Sequence, residues 1–268
     1  MPIHFHKYQA TGNDFVLIDN RITKIKFTNE NINRICDRRF GVGADGLILI
    51  EESKGADFEM IYYNSDGSQS LCGNGCRAAV DFASFLNIIT DRASFRAYDG
   101  IHEAFRLDDQ IIKLKMNDVR GIESFGNDYF IDTGSPHYVQ FVNNLDDIDV
   151  VQLGRNIRNH ESFKPGGTNV NFVELLPNNT IAVRTYERGV EDETLSCGTG
   201  VTAAALAVST KGYQSPVNVS VRGGKLSVEF KWNKMNAADT KNNNGPGPFV
   251  DLFLIGPAKM VFEGDLEL

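Results

Sequence analysis

The chain has 268 residues, with 41% hydrophobic and 23% charged side chains and a formal net charge of −8. Such a length and balance suit a globular protein of one large or two medium domains. The negative balance argues against a broad nucleic-acid surface, and no stretch approaches the roughly 20 apolar residues of a membrane span. Met1 to Asp14 lack a basic start followed by an apolar core, and four cysteines in so long a chain make no disulfide framework. A reducing, cytoplasmic setting is expected, with neither membrane nor nucleic acid as a partner.

From the N-terminus, Ile3 to Tyr8 reads as a strand, Thr11-Gly12-Asn13-Asp14 as a turn and Phe15 to Asp19 as a second strand. Asn13 beside glycine has turn forming as its ordinary role. Thr28 caps a helix predicted over Glu30 to Arg39, with Ile32 and Ile35 inward and Cys36 a small buried hydrophobe. Gly41 to Gly46 is glycine-rich but precedes the strand Leu47 to Ile50. A dinucleotide fingerprint follows a strand and opens a helix, so that reading fails. Asp45 is expected to fix the loop. Phe58 to Tyr63 is a strand, and Asn64 to Ser68 a turn. Strands near Ser94 to Tyr98, Glu103 to Leu107 and Ile111 to Met116 follow.

The pattern restarts near residue 118. Tyr129 to Asp132 and Tyr138 to Val142 read as strands around the loop Thr133 to His137. A helix is predicted near Leu153 to Asn159, then strands Asn171 to Leu175 and Ile181 to Tyr186. Val217 to Arg222 and Leu226 to Lys231 form a hairpin across Gly223-Gly224. Residues 236–248, rich in Asn, Gly and Pro, read as a surface loop before the strand Phe249 to Ile255.

One short pattern occurs in both halves: Cys72-Gly73-Asn74-Gly75 and Cys197-Gly198-Thr199-Gly200. Each feeds a run of small apolar residues. Ala203 to Val208 carry no polar side chain, and Ala78 to Leu86 only Asp81 and Ser84. A helix that is apolar all round is buried all round. The expected fold is therefore α+β: two pseudo-symmetric lobes, each a mixed or antiparallel, barrel-like sheet wrapped around a central helix, the product of a duplication. The start of such a helix offers free N–H groups and partial positive charge, which attract anions and favour a thiolate.

Two thiols at two helix starts suit one chemistry in particular. An acid and a base on opposite faces of an α-carbon invert it, one group as thiolate and the other as thiol, with no metal and no cofactor. Zinc binding fits less well, because Cys72 and Cys76 have the wrong spacing and no second pair is near. A Cys-x-x-Cys redox motif is absent. Cys76 is expected to pack, and His4 and His6, on one side of a strand, to be surface or core residues.

Gly12-Asn13-Asp14-Phe15, Asn64 to Ser68, Cys72 to Gly75, Gly134-Ser135-Pro136-His137, Tyr186-Glu187-Arg188-Gly189 and Cys197 to Gly200 stand in an order that closely resembles the diaminopimelate epimerase family along essentially the whole chain. The resemblance implies a cofactor-independent epimerase that interconverts LL- and meso-diaminopimelate in lysine and peptidoglycan precursor synthesis. It implies Cys72 and Cys197 as the acid/base pair and Asn13 as a substrate contact. Gly73, Asn74, Gly198 and Thr199 would surround the reacting carboxylate. Asn64, Asn169 and Arg188 would read the far end, with Glu187 on its ammonium; His137 and Glu187 would tune the thiols. The chain departs from the family at Ser135, where many members carry Asn, and at Gly46, where some carry Gln. The resemblance also implies a homodimer whose C-terminal tail returns to the first lobe, giving lobes of 1–117 plus 257–268 and 118–256.

Overall fold

The computed structural model describes residues 2–108, 110–233 and 248–267. The loop expected at 236–248 lies, apart from Pro248, outside the described residues. The chain divides into two compact units, Met1–Leu114 with Gly256–Leu268, and Lys115–Ile255.

The first unit holds β1 (Ile3–Ala10), β2 (Asn13–Asp19), β3 (Gly46–Glu51), β4 (Phe58–Asn64), β5 (Arg92–Ala97), β6 (Gly100–Asp108) and β7 (Ile111–Lys115). The C-terminal strand β17 (Lys259–Leu266) pairs antiparallel with β1. From β17 through β1 to β7, the neighbours run antiparallel, antiparallel, parallel, antiparallel, parallel, antiparallel, antiparallel. The second unit holds β8 (Glu123–Phe125), β9 (Asp128–Asp132), β10 (Pro136–Phe141), β11 (Asn169–Leu176), β12 (Thr180–Glu187), β14 (Val217–Val221), β15 (Gly224–Trp232) and β16 (Phe249–Pro257), with the short β13 (Asp192–Thr194) on β12. Taken in that order, its pairings repeat the same sequence of senses. The repeat thus reaches each of these pairings, β13 on β12 being an addition of the second unit, and the C-terminal β17 takes in the first unit the place that β8 takes in the second.

Each parallel step needs a crossover, and a helix fills each one. They are α1 (Asn29–Cys36), α2 (Gly73–Phe85), α3 (Val150–Arg158) and α4 (Gly198–Ser209). α2 packs against β1, β2, β3, β4, β6 and β17, and α4 against β9, β10, β11, β12, β14 and β15. The sequence demanded this enclosure. Residues Asn74 to Ala83 are buried, as are Gly200 to Val208. Val201, Leu206 and Val208 of α4 meet Val139, Val183, Val219 and Leu254 in one core.

α1 is shorter than predicted. Thr28 caps it as expected, in a reciprocal pair with Asn31. It stops at Cys36 because Asp37 turns extended and its carboxylate accepts the N–H groups of Arg39 and Phe40, both at 2.7 Å. α3 starts at Val150, earlier than predicted, because Asp149 accepts the Gln152 N–H at 2.9 Å. Three strands carry no sequence signal. β8 and β13 have three residues each, and β17 is an edge strand with no buried residue to give an alternating pattern. None of the described helices is long and apolar enough to cross a membrane.

Leu206 has no exposed surface. Leu206→Ala should destabilise the protein by about 2–5 kcal/mol. A chemical-denaturation midpoint that does not move would contradict the central placement of α4.

Candidate active site

Cys72 and Cys197 each occupy the N-cap position of a buried helix, α2 and α4, with extended backbone. They hold topologically equivalent places, one per unit.

Cys72 is partly buried. Its Sγ accepts the Gly75 N–H at 3.4 Å and can donate to Asn13 Oδ1, also at 3.4 Å. The sulfur therefore has a donor facing its ionised form and an acceptor facing its protonated form. Asn74 Nδ2 donates to the same Asn13 oxygen at 3.4 Å. Gly73 is the first residue of α2, and a side chain begun there would meet only Leu114 Cδ2, at 4.0 Å. Asn13 itself is held from behind, since its Nδ2 donates to Asp45 Oδ2. Asp45 also accepts the Asp14 N–H at 3.1 Å and Arg38 Nη2 at 2.7 Å. It fixes the loop, as expected. Asp14 sits between Lys7, at 2.6 Å, and Arg38, at 2.7 Å. Burial works against the Asp14 carboxylate, but the Arg38 and Lys7 donors outweigh it and hold it down to about 2. Asn64 organises the approach to Cys72. Its Nδ2 donates to Ser68 O at 3.2 Å, Ser68 Oγ at 3.0 Å and Ser70 Oγ at 3.2 Å. Gly46 lies across the strand pair from Asn64, where an added Cβ would come within 2.4 Å of the Tyr62 ring. The Tyr62 side chain thus closes the space that a longer residue at position 46 would need.

Cys197 is 8% exposed, and its Sγ lies 3.5 Å from Thr199 Oγ1. Gly198 opens α4 and is buried. From Thr199 a connected polar network runs into the unit. Thr199 Oγ1 is 2.9 Å from His137 Nε2 and 3.2 Å from Ser135 Oγ, and Ser135 Oγ is 2.9 Å from His137 Nε2. Asn171 Nδ2 lies 3.0 Å from His137 Nδ1, and Thr185 Oγ1 donates to Asn171 Oδ1 at 3.0 Å. With its oxygen taken by Thr185, Asn171 turns its amide N–H to the imidazole. His137 Nδ1 must then accept, so the proton sits on Nε2 and faces the two hydroxyls. His137 is fully enclosed, and burial, helped by the Arg188 charge, pulls it down to about 3. It is a fixed neutral donor, and its expected tuning of the thiol would run through Thr199.

Asn169 joins this group: its Nδ2 donates to Ser135 Oγ at 3.4 Å and to Pro136 O at 3.0 Å. Its Oδ1 accepts the Arg188 N–H at 2.8 Å. Arg188 Nη1 reaches the carbonyls of Gly166 and Gly167 at 3.3 and 3.4 Å. Glu187 accepts from Thr194 Oγ1 at 2.9 Å on β13. The segment leading to Cys197 is anchored by Gly223 N–H to Leu195 O at 2.9 Å and by a two-point Arg184–Glu193 pair at 2.7 and 2.8 Å.

The remaining cysteines are packing residues, as read. Burial pushes the Cys36 thiol up to about 11 and the Cys76 thiol higher still. His4 and His6 face carboxylates across β1 and β17, Asp265 at 3.0 Å and Glu263 at 3.3 Å. Ligand atoms of His4, His6 and Glu263 gather only within 4.8 Å, a looser grouping than the about 4.2 Å that two zinc bonds span. The cluster reads as cross-strand polar pairing between β1 and β17, and burial lowers His6, which favours its neutral form.

Asn171 and Thr185 were not singled out in the sequence. The signal was present, because Val170 and Phe172 alternate with Asn169 and Asn171, placing both amides on one strand face. Gly200 makes the contact possible, since a Cβ there would stand 2.3 Å from Asn171 Oδ1. Gly200→Ala should therefore lower turnover by about 10- to 100-fold while the fold survives. Nitrogen-15 NMR should find His137 protonated at Nε2 alone and unchanged between pH 5 and 8. A titration inside that window would refute the buried neutral assignment.

The sequence matches the diaminopimelate epimerase family over residues 5–119 and 129–246. It is 48% identical to a diaminopimelate epimerase of Flavobacterium psychrophilum, over 96% of this chain and 98% of the relative. It is 41% identical to one from Chlorobaculum tepidum, over 97% and 99%. Among solved structures, a phenazine biosynthesis protein of the PhzF family from Bacillus anthracis shares the fold at 15% identity and a TM-score of 0.73, covering 100% of both chains. A hydroxyproline epimerase from Agrobacterium vitis does so at 12% identity and a TM-score of 0.70, covering 99% of this chain and 92% of that one. Sequence, helix placement and fold converge: the chain belongs to the diaminopimelate epimerase family.

Proposed function

We propose that the protein interconverts LL- and meso-2,6-diaminopimelate by two-base proton transfer between Cys72 and Cys197, without a cofactor. The observation that carries this reading is the equivalent placement of the two thiols, each at the N-cap of an enclosed helix, in a chain of this family. One sulfur, as thiolate, takes the α-proton. The electron pair left on carbon spreads into the α-carboxylate. The other sulfur, as thiol, gives its proton to the opposite face. The configuration inverts, and the two sulfurs exchange protonation states.

In this reading the N–H groups around Gly73, Asn74, Gly198 and Thr199 bind the α-carboxylate and stabilise the charge that builds there. Asn13 takes part through its oxygen, which faces the Cys72 sulfur. Arg188, supported on Asn169, meets the distal carboxylate, a pairing that suits a guanidinium. Asn64 and Glu187 serve the far end, Glu187 on the ammonium. Ser135 does the work of the longer Asn of many relatives by linking His137, Thr199 and Asn169 through one hydroxyl. The same reading gives the protein a place in lysine and peptidoglycan precursor synthesis. It also makes the protein a cytoplasmic homodimer with a small-molecule substrate, without nucleic-acid or membrane partners.

Cys72→Ala and Cys197→Ala should each lower epimerisation by about 100- to 10,000-fold. Chiral chromatography of the LL and meso forms reads this directly. Full activity in either variant, or turnover of proline in place of diaminopimelate, would overturn the reading.

A further inference from the structure

Three donors meet on the carboxylate of Glu191, which has no part in the mechanism above. Gly189 N–H donates to its Oε1 at 3.0 Å, Arg158 Nε to the same oxygen at 2.8 Å and Tyr186 O–H to Oε2 at 3.1 Å. The Gly189 N–H first, and then the Arg158 and Tyr186 donors, hold the carboxyl below the usual glutamate range. Glu191 also adopts the left-handed backbone conformation, with φ of 61°. Glycine stands there freely, whereas a residue with a side chain is strained. The Glu191 N–H donates to Glu187 O at 2.8 Å. Residues Glu187 to Glu191 thus form one closed turn, fastened by the Glu191 side chain, and Arg188 lies within it.

The partners of that carboxylate are fixed from outside the turn. Tyr186 of β12 has no exposed surface, and its ring lies against Gly154 of α3, where an added Cβ would collide with it. Arg158 is the last residue of the same helix. Its guanidinium lies against Gly167, where a Cβ would again collide. Gly167 in turn supplies one of the two carbonyls that receive Arg188 Nη1. Arg158 therefore touches both supports of Arg188. Through Glu191 it reaches the turn that carries the main chain, and at Gly167 the loop that receives the side chain.

These supports leave one particular edge of Arg188 on offer. Asn169 Oδ1 holds its main-chain N–H at 2.8 Å, and Gly166 O and Gly167 O hold Nη1 at 3.3 and 3.4 Å. Nε and Nη2 donate to none of the described residues. Those two nitrogens form the edge by which a guanidinium takes a carboxylate through two parallel hydrogen bonds.

We propose that Glu191 and Arg158 are a positioning pair, which holds the 187–191 turn so that Arg188 presents its Nε and Nη2 edge to the distal carboxylate of the substrate. This rests on the reading of Arg188 as the residue that meets that carboxylate, and adds the residues that aim it. Glu191 is exposed and Arg158 half-buried, so solvent screens their pairing and it adds little to the stability of the fold. The pair acts on where Arg188 stands, and so on how the substrate's far end is bound.

The test is steady-state epimerisation of LL-diaminopimelate by the full chain, with kcat and KM read separately and a thermal melt for each variant. Glu191→Gly removes the carboxylate but suits the left-handed backbone. Its melting temperature should hold within a few degrees, while KM rises about tenfold and kcat stays within about twofold. Arg158→Met should raise KM in the same direction. The two changes together should raise it by less than the product of their separate effects, because both act through one turn. Glu191→Gln keeps an oxygen for the Gly189 N–H and should recover part of the loss. An unchanged KM in folded Glu191→Gly would overturn the proposal; if that variant does not fold, an unchanged KM in Arg158→Met does so. Arg188→Met tests the underlying reading by itself and should raise KM at least as far. If it does and Glu191→Gly does not, the distal reading stands and the positioning pair falls. If Arg188→Met leaves KM unchanged, both fall.

Discussion

The first-turn N–H groups of α2 and α4 find no carbonyls within their own helices, and the placement of the site residues follows from that. Because sheet surrounds both helices, their flanks are sealed by side chains. What each helix offers a ligand is its beginning. A cysteine at the cap shares that field of unpaired donors, and an anionic group drawn to them arrives beside the sulfur. The apolar flanks and the reactive cap are consequences of the same residues: Gly and Ala let the sheet close in, and the closure leaves only the end open.

The two units build this device with different supports. In the first, an ionic cluster of Lys7, Asp14, Arg38 and Asp45 fixes Asn13 beside Cys72. In the second, a neutral chain through Thr185, Asn171, His137 and Thr199 leads to Cys197. Duplication kept the strand order and the helix caps, while the polar support diverged. An epimerase whose two substrates have opposite configuration at the reacting carbon needs its groups in matching places. It does not need them to have matching charge, because one sulfur has to begin without its proton.

The two enclosed helices and most strands could be read from the sequence, because an uninterrupted run such as Ala203 to Val208 admits only a buried helix. β17 was silent for a physical reason: an edge strand buries too little to impose alternation. The cysteines stood out because their motif repeats. Asn171 and Thr185 did not, since a polar residue on a buried strand face looks the same in sequence whether it is a local defect or a link in a network. Glu191 was passed over because an acidic residue between Gly189 and Asp192 reads as solvated; only the folded turn gathers three donors on it.

The central claim is that two groups, and not one, handle the α-proton. The direct measurement is a single turnover of LL-diaminopimelate in deuterium oxide, stopped early, with the isotope content of both isomers read by mass spectrometry. Two bases predict meso product that carries one solvent deuterium at the inverted carbon, while the remaining LL form keeps its hydrogen. Product that retains the original hydrogen, or deuterium entering both isomers equally from the start, would mean a single base and contradict the account.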